Sequence, residues 1–353
     1  MVSKEKKQES RKTQYNVFNS GDLSEPVTTH ISRLTNLPSL SPIFDFYNSR
    51  FSFFTFHFSF MNMLSIDPQD TPQKDFHQFM LGTVAPRPIA FVSTVDEHGN
   101  KNLAPYSFFN AFSSNPPILV FSSNRRGSDN STKDTLHNVR ASGECVINAV
   151  NYAIVRQMAV ASVDFPTGVS EVEKTGLTPI PSDLVKAFRV KESPAHMECK
   201  VKDIVTLGDK GGAGHLIICE VVRMHISKDV LTDRNRIDPD KMDLMGRMGR
   251  AYYVRCSGAA IHTIVQEYNP VTIGYDQLPA HIKNSPVLTG NDLGKLAGQV
   301  TMPTEEEINA VASEADVLNA LGQQNPETAL HYLAKSCLDR DDVRRGFSML
   351  LIK

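Results

Sequence analysis

The sequence contains no tryptophan, no cysteine pair spaced as C-x-x-C and no excess of either charge. Each absence removes a class of function. The five cysteines (Cys145, Cys199, Cys219, Cys256 and Cys337) are odd in number and scattered without a Cys/His cluster. That pattern argues against a disulfide framework and a structural zinc site, and for a reducing, cytoplasmic setting. Lys and Arg total 37 against 39 Asp and Glu, a net charge of -2, which provides neither a basic stripe for nucleic acid nor a polybasic patch for a membrane. No G-x-G-x-x-G, Walker loop, G-x-S-x-G or H-E-x-x-H occurs, so the usual signatures of dinucleotide, P-loop, esterase and zinc-peptidase sites are missing. The sequence shows no protein acid–base constellation either.

What is present is a chain of 353 residues, 41% hydrophobic, enough to bury a substantial core. Its first sixty residues differ from the rest. Up to about Pro42 they are rich in Lys, Ser, Thr and Asn without a sustained period and without the apolar core of a secretory signal. Eight phenylalanines then fall between Phe44 and Phe60, nearly alternating, but too few and too polar for the ~20 apolar residues of a membrane helix. Residues 1–63 are therefore read as a disordered or non-native extension, with Met61 or Met63 a candidate start.

From Pro86 to about Thr263 the pattern is that of strands. Ile89–Val95 and Asn102–Phe109 flank the turn Asp96–Asn100 as a hairpin. Pro116–Ser123, Gly143–Ala149, Met197–Val205, His215–His225 and Tyr252–Ile261 continue the series, with helices expected at Lys133–Ala141 and Tyr152–Val163. Many short strands with few helices point to a small antiparallel barrel, over residues 64–265. After a Pro/Gly/Asn-rich connector, helical spacing returns at Glu305–Leu321 and Thr328–Leu338, so 266–353 reads as a linker and helical extension. Thr304 followed by three glutamates is its clearest helix start.

Two segments carry the candidate chemistry. In the first, Ser122, Ser123, Asn124, Arg125 and Arg126 end a strand, and Lys133, Asp134 and Thr135 open a helix. Hydroxyls, cations and helix N–H groups are what a phosphate monoester needs, and an ordinary capped, charged loop is the competing reading. In the second, Asn102, Ala104, Pro105, Tyr106, Ser107, Phe108, Phe109 and Asn110 give an extended backbone and aromatics that could face a flat ring, although the residues alone favour core packing. The run Gly208–Gly214 offers a weaker choice between a phosphate cradle and a plain hairpin loop.

Pro86–Thr94, the spaced Asp96, Gly99 and Asn102, Ala104–Ser107, Asn115–Pro117, Lys133–Thr135 and Gly143–Asn148, in that order, resemble the flavin reductase-like FMN-binding split-barrel family. That family includes flavoredoxins and the flavin reductase components of two-component monooxygenases. The resemblance implies a mainly β fold, a six-stranded antiparallel Greek-key split barrel with a few short helices. It also implies FMN shared between the chains of a homodimer, with NADH or NADPH as co-substrate and a monooxygenase or other electron acceptor as partner. The Asn102–Asn110 segment would then lie along the isoalloxazine and the Ser122–Asn124, Arg126 and Lys133–Thr135 groups at the phosphate, with no catalytic side chain and no metal. It loosely adds Arg247, Arg250 and Tyr253, and His215 after the glycine run, as nicotinamide or flavin contacts. The function expected is an NAD(P)H:flavin oxidoreductase. Alternatives are a flavin electron carrier or sensor without nicotinamide turnover, or a barrel holding haem or a pyridoxal-type phosphate.

Overall fold

The computed structural model describes residues 63–166, 169–264 and 271–353. The reading of 1–63 as an extension lies outside the described residues, apart from Met63. Helix α1 (Gln73–Thr83) precedes strands β1 (Ala90–Val95), β2 (Lys101–Tyr106), β3 (Phe109–Ser114) and β4 (Pro117–Asn124). Then follow α2 (Asp134–Ser142), β5 (Glu144–Ala149), α3 (Val155–Val160), α4 (Glu171–Thr175) and the two-residue strands β6 (Pro179–Ile180) and β7 (Arg189–Val190). The long strands β8 (Ala195–Thr206) and β9 (Gly214–Ile226), helix α5 (Pro239–Met242) and the hairpin β10 (Leu244–Gly249) and β11 (Tyr252–Cys256) complete the β-rich part. Six helices occupy the C-terminal part: α6 (Ala280–Lys283), α7 (Gly290–Ala297), α8 (Glu305–Ala312), α9 (Ala315–Leu321), α10 (Pro326–Asp339) and α11 (Val343–Leu350).

The main sheet has seven antiparallel strands in the order β2-β1-β5-β8-β9-β4-β3, which corrects the expected six. The extra strand has a local cause. The single strand read over Asn102–Phe109 ends its pairing with β1 at Tyr106, and the chain turns at Ser107–Phe108 into a further strand, Phe109–Ser114, that pairs with β4. One segment thus forms both edges of the sheet. The sheet curls until those edges approach at the corner, where the Ser122 N–H donates to the Phe108 carbonyl at 2.8 Å, but β2 and β3 share no ladder and the barrel is not closed. The expected strand Tyr252–Ile261 stops at Cys256 and belongs to a separate hairpin with β10.

Strand β1 shows why the sheet is apolar on both faces. Ala90 and Val92 face the inside of the curl with Tyr106, Phe121, Leu136, Ile147 and Ile217. Phe91 faces outward, where Leu103, Ile154, Met158 and Phe188 cover it. The side-chain period of two sends neighbours to opposite cores, so the run Ile89–Val92 is apolar without alternation. Cys145, Cys199 and Cys219 are buried in the inner core, Cys145 and Cys219 with sulfurs 3.8 Å apart. The exposed edge of β2 is blunted by α4, whose Glu171 accepts the Leu103 N–H at 3.1 Å.

The helices are more numerous than "a few", with eleven α-helices among the described residues. The helix expected over Tyr152–Val163 is only six residues long, α3. The one expected over Glu305–Leu321 breaks at Ser313–Glu314 into α8 and α9. Thr304 caps α8 as read from the sequence, its hydroxyl accepting the Glu307 N–H while the Glu307 carboxylate accepts the Thr304 N–H. These helices share their own apolar core, including Ile282, Leu296, Val317, Ala334, Leu338 and Phe347.

Candidate functional site

Strand β4 runs straight into the loop that leads to α2, and the two ends meet over the mouth of the inner core. By the alternation of a strand, Ser123 shares the inward face of Phe121 and Leu119, whereas Ser122 and Asn124 point the other way. Ser123 is buried and its hydroxyl has no hydrogen-bond partner. Tyr106, packed on Phe121 with ring centroids 5.1 Å apart, brings a second buried hydroxyl to the same place. Its Oη is flanked by the Ser123 and Thr135 hydroxyls but makes no well-formed hydrogen bond to either, and burial pushes its pKa up to about 12. Two orphaned hydroxyls side by side are unusual in a folded interior.

Helix α2 points its N-terminus at them. Lys133 holds the N-cap position in extended conformation without a side-chain cap, so the first N–H groups of the helix lack a side-chain acceptor. The Lys133 ammonium stands 5.5 Å from the centre of the Tyr106 ring. Burial lowers its pKa, and Asp164, the carboxylate that opposes the shift, pairs with Arg126 at 3.3 Å instead. Thr135 is held by Asn102, whose Nδ2 donates to the Thr135 hydroxyl at 2.8 Å and to the Thr94 hydroxyl at 3.0 Å. Asn138 donates to the same Thr94 hydroxyl at 3.0 Å. This buried network fixes the start of α2 against β1 and β2.

The other residues singled out in the sequence are placed as follows. Arg126 organises its own loop, donating to Ser131 Oγ at 3.1 Å and the Thr132 carbonyl at 2.9 Å. Ser122 donates to Asn124 Oδ1 at 2.7 Å, and Asn124 donates to the Gly212 carbonyl at 3.1 Å, so both face the glycine run and away from Lys133. Asp134 is the first residue of α2. Ala104 and Pro105 are half-buried in β2, and Asn110 is exposed on β3. Phe108 lies at the Ser107–Phe108 corner between Arg87 and His77.

His215 pairs opposite Ser123, buried, with Nδ1 3.0 Å from the Thr206 hydroxyl and Nε2 without a partner. Burial, then Arg140 and Arg125, lower its pKa. Arg247 stacks on Tyr253 at 4.5 Å in the β10–β11 hairpin, and Arg250 occupies the exposed turn of that hairpin with φ 47°.

The glycine run proves to be a packing device. A Cβ at Gly214 would come within 2.5 Å of Ser122 Oγ, and one at Gly211 within 3.1 Å of the Arg126 carbonyl. The loop presses on the Arg125–Gly127 turn, with the Arg125 N–H donating to Ala213 at 2.9 Å and the Gly212 N–H to Arg125 at 3.1 Å. Its glycines allow that contact, and it braces the segment between β4 and α2.

One residue escaped the sequence reading as a site residue. Arg87 is only 5% exposed, and its Nη1 donates to the carbonyls of Leu81 at 2.7 Å and Met248 at 3.3 Å and closely to that of Val84. Its Nε and Nη2 have no partner. It lines a cavity of about 430 Å³, almost wholly apolar, with Phe109 and four methionines on the walls. Its place in Pro86-Arg-Pro88, directly before a buried strand, was the available signal.

Compared with known proteins, residues 81–239 match the flavin reductase like domain. An uncharacterized protein of Aquifex aeolicus is 37% identical over 190 residues, 54% of this chain and 94% of that protein. Among solved structures, nitrilotriacetate monooxygenase component B from Bacillus cereus is similar with 32% identity and a TM-score of 0.53, over 56% of this chain and 96% of that one. Pseudomonas fluorescens 2-nitrobenzoate 2-nitroreductase NbaA follows with 27% identity and a TM-score of 0.51, over 59% and 98%. The chain belongs to the flavin reductase-like family. Its C-terminal helices lie beyond the segment that matches the domain. No helix among the described residues is long and apolar enough to cross a membrane.

Proposed function

We propose that this chain is an FMN-binding flavoprotein that accepts hydride from NADH or NADPH, working as a homodimer with shared sites and passing electrons to a monooxygenase or similar acceptor. The observation that carries the reading is the convergence of two orphaned buried hydroxyls, Ser123 and Tyr106, with Lys133 and the uncapped N-terminus of α2. A phosphate monoester supplies acceptors to all four donors, which fits the cofactor. Thr135, oriented by Asn102, stands ready as a further donor. When bound, the flavin supplies the hydride chemistry itself. The chain positions it: the half-buried backbone from Ala104 through the Ser107–Phe109 corner is available to the ring, and Arg247 and Tyr253 are available to the nicotinamide. The buried Thr94–Asn102–Thr135 network keeps the phosphate groups fixed, so little ordering is needed on binding.

The test compares two ligands. Lys133→Ala is expected to weaken FMN by about 1.5–3 kcal/mol, the worth of a hydrogen bond to a charged group, or roughly 10- to 150-fold in Kd. Riboflavin, which has no phosphate, should bind the variant and the parent alike. Equal losses for both ligands, or none for either, move the phosphate away from α2. The absorbance spectrum of the purified protein, followed by anaerobic titration with NADH and NADPH, checks cofactor and co-substrate. A flavin that nicotinamide does not bleach would turn the reading toward an electron carrier.

A further inference from the structure

The C-terminal helices enclose a cavity of their own, of about 480 Å³, beyond the segment that matches the family domain. Leu321, Leu330 and Met349 give it apolar walls, and His281, Glu327 and His331 bring polar atoms to it. The tautomer of His331 follows from its neighbours. Ser285 Oγ accepts the N–H groups of Val287 and Leu288, each at 3.2 Å, which engages both of its lone pairs. Its own proton is left for His331 Nδ1, 2.6 Å away. Nδ1 is therefore an acceptor, and the neutral imidazole carries its proton on Nε2. Burial lowers the His331 pKa, with Glu327 opposing and His281 assisting, which favours that neutral form. His331 is only 3% exposed. Its Nε2 has no partner among the described residues and yet is not sealed off, so the N–H opens on the cavity that His331 lines.

That N–H decides between ligands. A metal ion needs the Nε2 lone pair, and supplying it would turn Nδ1 into a donor against a hydroxyl with no lone pair left. An anion would find one donor with a carboxylate beside it, because Glu327 and His331 lie four apart on α10 and are neighbours on its face. Lys353 at the rim is exposed, and water screens its charge. His281 adds no free donor in its neutral form, since its Nε2 donates to the Leu350 carbonyl at 2.8 Å and leaves Nδ1 an acceptor. One N–H beside one carboxylate matches a ligand that carries an acceptor next to an N–H of its own. The volume and apolar walls suit a small flat ring. We propose that this cavity is a second binding site, for a neutral heteroaromatic ring with a lactam-type edge such as nucleobases carry, its carbonyl accepting from His331 Nε2 and its N–H donating to Glu327. The proposal goes beyond the flavin reading and does not depend on it.

Calorimetric titration of the full chain with 2-quinolone, and with 1-methyl-2-quinolone, in which a methyl group replaces the N–H proton, tests it. The parent should prefer 2-quinolone by about 10-fold or more, as expected for a hydrogen bond to a carboxylate. Glu327→Ala, at an exposed position, should remove that preference by weakening 2-quinolone alone. His331→Phe keeps a flat ring, loses the N–H and should weaken both ligands by a similar factor; Glu327→Ala serves if this variant does not fold. Lys133→Ala, the probe of the flavin reading, should leave both titrations unchanged. Equal binding of the two ligands by the parent overturns the proposal, as does a preference that survives Glu327→Ala or a folded His331→Phe that binds as the parent does. Loss of 2-quinolone binding in Lys133→Ala would overturn it by placing the ligand at α2. Displacement of 2-quinolone by Zn²⁺ from the parent also overturns it, because the Nε2 lone pair would then be free for a metal.

Discussion

Two regions of the molecule, the surroundings of α2 and Arg87 on one side and the C-terminal helices on the other, treat charge in opposite ways. Lys133 and Arg87 are half-buried and buried without a carboxylate bonded to either, and hydroxyls at 123 and 106 are left without partners. In the helices, Arg344 is closed on Glu307, Arg345 on Glu314 and Asp316, and Lys335 bridges Asp292 and Asp339. The difference teaches where to look for ligands. Paired charge at an exposed surface orients helices and adds modestly to stability, while unpaired buried polarity is a standing cost that a ligand can relieve.

The comparison can be broken at its strongest point first. Phe347 is fully buried in the helical core, so Phe347→Ala should cost about 3–5 kcal/mol in denaturant unfolding monitored by helical circular dichroism. If the two parts are energetically distinct, the flavin affinity of the remaining folded protein stays the same, and a parallel loss of flavin would merge them. Ser123→Ala comes next. Removing an unpartnered buried hydroxyl should leave the free protein as stable as before or raise its stability by up to about 1 kcal/mol, while FMN binding weakens. A stability loss in the ligand-free protein would make Ser123 an ordinary structural serine.

Thr304→Ala serves as the helical counterpart, because its hydroxyl is satisfied in a capping box; a loss of about 1 kcal/mol is expected, with no ligand effect. The smallest effect is the acid response of Glu307. Arg344 holds its carboxyl down at about 2, against an ordinary value near 4.5. A depressed carboxylate stabilises the folded state above the unfolded pKa, and that contribution fades as pH falls from the ordinary value through about 2. Glu307→Gln should therefore flatten the unfolding response across that acid window. An unchanged acid titration would show that the Arg344 pair contributes nothing to it.

Much of the fold was readable because patterns were local. The hairpin Ile89–Phe109, the helix start at Thr304 and the strand-to-helix passage at Ser122–Thr135 each declare themselves within a few residues. What was not readable depended on distant partners. The turn at Ser107–Phe108 follows from β2 pairing with β1 while β3 pairs with β4, and only a lone serine, without glycine, asparagine or aspartate, marks it. The inward and outward split of Ser122 and Ser123 was in principle available from strand period alone. The role of the Gly208–Gly214 run was not, since the atoms it must avoid belong to Ser122 and Arg126, far back in the chain. Arg87 resembled any charged residue before a strand until its unfilled edge became visible.

The corner at Ser107–Phe108 also makes the sheet a seam sewn with one thread. Because the same short stretch borders both rims, an opening at this point loosens the adjoining ends of both ladders together, Ala90–Tyr106 in one and Phe109–Phe121 in the other. Amide exchange along Lys101–Tyr106 and Phe109–Ser114 should therefore rise and fall in concert, and a ligand resting against the corner would slow both at once.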